Sequence, residues 1–109
     1  MEERTIFHRI IHKEIPASIV YEDDDVLAFK DIHPKATTHI LFIPKQFLLS
    51  VAHVDADTQH IPGMLILKAQ SFAKEKGIDG YRLQFNVGKE GGQEVPYIHL
   101  HFLADKALS

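Results

Sequence analysis

The chain is 109 residues long, and its 12 Lys+Arg against 15 Asp+Glu leave a formal charge of −3. That length implies one domain, residues 1–109, and so weak and negative a charge excludes the clustered cations that sequence-independent nucleic-acid binding needs. The absence of cysteine rules out thiolate catalysis, disulfides and Cys-ligated zinc, while 8 histidines make imidazole the natural reactive group.

Thr5 followed by Ile6, Phe7, Ile10 and Ile11 predicts a short capped helix that stops by Pro16. Ser18–Tyr21 and Val26–Phe29 read as strands on either side of the acidic turn Glu22–Asp25. Asp31 to Ala36 forms a loop around Pro34, and the apolar run His39–Ile43 predicts a central strand. A long helix is expected over Asp55–Lys76, capped by Asp55 or Asp57, with Pro62 near its first turn and Gly77 as its stop. Leu65, Lys68 and Phe72 fall on one stripe of it. Tyr81, Leu83, Phe85 and Val87 alternate with Arg82, Gln84 and Asn86, the pattern of a half-buried strand. A glycine-rich loop, Gly88–Gly92, precedes the last strand, Tyr97–Leu103. This order implies an α+β fold: a five-stranded antiparallel sheet with one long and one short helix. Met1–Arg4 is charged and no apolar stretch reaches membrane-spanning length, so a cytoplasmic protein with no membrane partner is expected.

The last strand carries the chemistry. Period two sets His99 and His101 on one face and Ile98, Leu100 and Phe102 on the other, facing the core. Glycines just upstream let the backbone approach an anion closely. The imidazole pair fits three roles: solvent-facing residues, part of a metal site, or a nucleophile with a helper. Spacing alone favours the first. A metal site lacks a further ligand motif in the sequence, so no metal is expected.

Several segments then stand in a telling order: Thr5–Phe7, Lys13–Pro16, Ala28–Ile32, Thr38–Lys45 and Gly91–Val95, followed by the histidine strand. Together, over Thr5 to Leu103, they resemble the histidine triad superfamily, and its Hint-like branch of nucleoside phosphoramidate hydrolases in particular. The family signature His-φ-His-φ-His-φ-φ, with φ apolar, falls on Tyr97–Leu103, so tyrosine occupies the first histidine position.

The resemblance implies roles residue by residue. His99 would be the nucleophile that attacks the α-phosphorus and forms a nucleotidyl-histidine. Its second nitrogen would be oriented by the backbone carbonyl at Tyr97, which tyrosine supplies as well as histidine does. His101 would donate to phosphate oxygens or to the departing group, and His39 would assist. Asn86, Gly92, Gln93, Glu94 and Val95 match the phosphate site. Ile6, Phe7, Ile10, Phe29 and Ile32 match an apolar base pocket, and Asp31 matches the residue that binds the ribose hydroxyls. The implied ligand is a purine nucleotide of AMP or GMP type, with no cofactor. A homodimer is implied, its two sheets joined into ten continuous strands. Zinc-binding members place ligands at positions held here by Thr5, His8, Phe47 and Tyr97, so no structural zinc is expected. His8, His12, His33, His53 and His60 match no family role and read as surface residues. Two other functions stay open at this point. One is a nucleotide-binding module of low turnover, suggested by Tyr97. The other is a transition-metal site built from His39, His99 and His101.

Overall fold

Thr5 opens the fold with a reciprocal cap. Its hydroxyl accepts from the Phe7 and His8 amides, and its own amide donates to His8 Nδ1 at 2.9 Å. The short helix α1 (Ile6–Ile11) follows. A computed structural model describes residues 4–108. After α1 come β1 (Ile19–Glu22), β2 (Val26–Lys30), β3 (Thr38–Pro44), the long helix α2 (His60–Glu75), β4 (Arg82–Phe85) and β5 (Leu100–Ala104). The strands form one antiparallel sheet in the order β1-β2-β3-β5-β4, so the last strand inserts between β3 and β4. The fold is α+β, as expected.

The register sorts the two faces. Ile40 pairs with Phe102 and Phe42 with Leu100, and these residues face α2. Phe72 of α2 sets its ring edge-on to both Phe42 and Phe102, at 5.7 and 5.6 Å between centroids. Ile61, Leu65, Ala69, Phe72 and Ala73 are the buried stripe of α2. The opposite face carries Phe29, Leu41 and His101 in one row, and His39 and Leu103 in the next. Here α1 covers one end of the sheet, with Phe7 and Ile10 buried.

Three elements depart from the sequence pattern. α2 begins at His60, not Asp55, because the Asp55 carboxylate closes a turn on the Asp57 and Thr58 amides instead of capping the helix. β5 begins at Leu100, not Tyr97. Pro96 supplies no amide, Tyr97 N–H turns back to the Val95 carbonyl, and Ile98 N–H goes to Leu48. β4 is an edge strand shorter than the alternation suggests: Tyr81 and Phe85 pack half-buried against the core, while Leu83 and, just beyond the strand, Val87 stay exposed. Lys68 sits at the rim of the α2 stripe and pairs with Asp23 at 2.7 Å.

Asp23 ties the β1–β2 turn together. One oxygen accepts from the Asp25 and Val26 amides, and the other meets the Tyr21 hydroxyl and Lys68. Burial pushes its carboxyl up, but Lys68, Tyr21 and the two amides outweigh it and hold the group well below the usual carboxylate range. A carboxyl depressed in the native state contributes stability above its unfolded value of about 3.9, and that contribution is lost as pH falls. Melting temperature is therefore expected to drop from about pH 5 downward, with a shallower slope in Asp23→Asn. Identical acid slopes in the two proteins would contradict this.

Candidate active site

A cleft of about 780 Å³ lies on the sheet face away from α2. It is lined by Ile6, Phe7, Ile10, Phe29, Asp31 and Ile32, by His39, His99 and His101, and by Asn86, Gly92, Glu94 and Val95. Of the expected site residues only Gln93 does not line it. The Gln93 side chain turns into the fold, accepting from the Gly88 amide and donating to the Leu49 and Val95 carbonyls. It braces the glycine loop from behind. Asn86 braces it from the cleft side, donating to the Gly91 carbonyl at 2.8 Å. Gly92 adopts a φ of +85°, and a Cβ there would meet Asn86 Nδ2 at 3.3 Å, so glycine is required.

His99 is 7% exposed and meets the edge of Phe7 at 5.2 Å between centroids. Its Nδ1 lies 2.8 Å from the Tyr97 carbonyl. A carbonyl only accepts, so Nδ1 carries the proton and Nε2 keeps its lone pair. Burial lowers the His99 pKa. The Tyr97 carbonyl and the charges of Asp31 and Glu94 oppose that without reversing it.

His101 rises from β5 between Leu41 and Gln84, and His39 rises from β3 beside it. His39 Nε2 is 2.9 Å from His101 Nδ1 and 3.5 Å from Asp31 Oδ2. Burial lowers the His39 pKa, and it pushes His101 down to about 4, helped by the charges of His99 and His39. Burial thus favours the neutral form of all three rings. Asp31 Oδ1 accepts from the His33 amide, shaping the loop that carries Asp31 past the histidines. Among the described residues Asp31, His39 and His101 form a group with ligand-type atoms within 4.8 Å of one another.

Lys35, Leu41, Arg82, Gln84 and Leu103 also line the cleft. Arg82 and Gln84 are legible in the sequence as the polar face of β4, which also carries Asn86, but the sequence marks neither of them as a site residue.

The histidines without a family role divide. His12, His33, His53 and His60 are exposed. His8 is half-buried, stacked on Phe47 at 5.1 Å and edge-on to Tyr97 at 4.9 Å. It is no surface residue, because its Nδ1 serves the helix cap and its ring fills an aromatic cluster. Tyr97, fully buried in that cluster, spends its hydroxyl on the Pro44 carbonyl. Of the four positions tied to zinc, only His8 brings a ring nitrogen, and packed aromatic rings surround it, so these residues do not form a zinc set.

Three imidazoles beside a glycine loop, over an apolar slot flanked by the Asp31 and Glu94 carboxylates, define a cleft suited to histidine chemistry. Comparison with known proteins gives the family. The HIT domain family model matches residues 12–108, and the chain belongs to that family. Purine nucleoside phosphoramidase of Escherichia coli (strain K12) is 48% identical over 110 residues, covering 99% of this chain and 92% of that protein. A HIT family hydrolase from Legionella pneumophila Philadelphia 1 superposes with a TM-score of 0.89 at 41% identity, covering 97% of this chain and 96% of its own. A histidine triad protein from Clostridium difficile gives 0.90 at 43%, covering 100% and 97%. Among the described residues, no helix is long and apolar enough to cross a membrane.

Proposed function

We propose that the chain is a purine nucleotide-binding hydrolase that cleaves nucleoside 5′-phosphoramidates to the nucleoside monophosphate. The observation that carries this is His99, a buried imidazole that lines the cleft and whose Nδ1–H is held by the Tyr97 carbonyl, which leaves the lone pair on Nε2. Such a nitrogen is a nucleophile at neutral pH. It attacks the α-phosphorus, the P–N bond breaks, and the amine departs with a proton. Water then splits the His99–phosphorus bond, releasing the monophosphate and restoring the ring. His101 and the glycine-loop amides at Gly92 to Val95 stabilise the phosphoryl oxygens. Phe7, Ile10 and Phe29 enclose the base, Ile6 and Ile32 flank the mouth, and Asp31 accepts from the ribose hydroxyls.

AMP release from adenosine 5′-phosphoramidate is the direct test. Tight AMP binding without turnover would point to a low-turnover binding module instead. No binding of any purine monophosphate would overturn both.

The same reading assigns a homodimer built on the open edge of β4. Leu83 and Val87 lie exposed there, and Ile66 and Leu67 lie exposed on the outer side of α2. Sedimentation at micromolar concentration is expected to give a dimer, with Leu83→Lys shifting it toward monomer. A monomeric wild-type chain would refute this assembly.

A further inference from the structure

We infer that the backbone amide of Lys35 sets the tautomers of two imidazoles in series, making His39 a positioning residue that locks His101 as an Nε2–H donor. The Lys35 N–H donates to His39 Nδ1 at 3.1 Å. A backbone amide only donates, so Nδ1 holds a lone pair, and a neutral His39 carries its proton on Nε2. That nitrogen lies 2.9 Å from His101 Nδ1. If His101 donated across this contact, both nitrogens of His39 would have to be acceptors, which makes the ring an imidazolate. His39 therefore donates, His101 Nδ1 accepts, and the single proton of His101 sits on Nε2.

The loop is built to deliver that amide. Asp31 N–H bonds the His39 carbonyl at 3.0 Å and closes the base of the loop. Asp31 Oδ1 takes the His33 amide at 2.8 Å, and Pro34 then fixes the chain just before Lys35. Asp31 Oδ2, 3.5 Å from His39 Nε2, lies on the side where that proton resides.

Two consequences follow for chemistry. The cleft presents His99 and His101 in opposite tautomers, Nδ1–H and Nε2–H, so one ring offers a lone pair and its neighbour a proton. The Asp31, His39 and His101 group, whose spacing suits a divalent cation, is closed to one while the lock holds. A cation at His39 Nε2 would have to displace a proton that the Lys35 amide keeps in place.

The catalytic half of this inference rests on the hydrolase reading above, so the test has a readout independent of turnover. Long-range proton–nitrogen correlation spectra of 15N-histidine-labelled protein report each tautomer directly. His39 and His101 are expected as Nε2–H and His99 as Nδ1–H. Lys35→Ala keeps the amide and is expected to leave the pattern unchanged. In His39→Leu, the Nδ1–H form of His101 is expected to appear and kcat for AMP release to fall about tenfold. In His39→Gln, whose amide can still donate to His101, both are expected to return toward wild type. An Nδ1–H His101 in the wild-type protein, or an unchanged His101 pattern in His39→Leu, would overturn the lock. The expected spectra in a protein without turnover would leave the lock standing and remove the hydrolase reading alone.

Discussion

Replacing His99 with alanine is expected to lower kcat for AMP release from adenosine 5′-phosphoramidate by at least about 10⁴-fold, the scale seen when a covalent nucleophile is removed. The chain has no cysteine, and the His101 Nδ1 lone pair is committed to His39. AMP affinity is expected to change only a few-fold, because the slot formed by Phe7, Ile10 and Phe29 and the Asp31 carboxylate are untouched. His101→Ala removes a donor, not the nucleophile, and is expected to cost less, about 10²–10³ in kcat. Acid quenching during turnover is expected to trap a nucleotidyl adduct on wild-type protein and none on His99→Ala. The pH profile follows from the same geometry. Protonation of His99 consumes its lone pair, and burial has already lowered that equilibrium. The acid limb of kcat/KM is thus expected below the ordinary imidazole midpoint of about 6.5. A limb at neutral pH or above would show that a different group attacks.

Much of this geometry is legible in the amino-acid sequence. Thr5 before Ile6, Phe7 and Ile10 announces a capped amphipathic turn, and that cap forms. Period two in Ile98–Phe102 separates the core face from the histidine face, and the strand keeps that division even though His99 is itself buried and only His101 is half-exposed. Where sequence reasoning falls short, one residue type has two physical uses. An aspartate ahead of a helix can cap it or close a turn, and Asp55 does the second. A glutamine in a glycine loop can face an anion or brace the loop, and Gln93 braces it. A histidine near the chain start can face water or fill an aromatic cluster, and His8 fills one.

The Lys35 amide lies beyond sequence reasoning for a different cause. Every non-proline residue carries that group, so no residue type marks it. Only the path of the loop places it against His39. The pairing of His39 with His101 likewise depends on β5 inserting between β3 and β4, a topology that element order leaves open.

Tyr97→Ala is expected to be the most destabilising single change near the site, at about 3–5 kcal/mol by chemical denaturation. The ring is completely buried, with Phe7, His8 and Phe47 set against it at 6.0, 4.9 and 5.2 Å. Removing it empties a space between α1 and the segment that orients His99. Tyr97→Phe isolates the hydroxyl. It keeps the packing and leaves the Pro44 carbonyl without its donor, a loss of about 1–3 kcal/mol. Burial also raises the phenol pKa well above its usual range, so the hydroxyl stays a donor across the working pH span. The His99 tautomer is expected to survive in Tyr97→Phe, since the carbonyl that holds it belongs to the backbone. Tyr97→His separates the two functional readings. If the backbone carbonyl is what the nucleophile needs, restoring an imidazole here changes turnover only a few-fold and loses stability through poorer filling of the cluster. A rise of more than about tenfold, one factor of which corresponds to 1.36 kcal/mol of barrier, would instead show that the tyrosine side chain holds the site in a binding role.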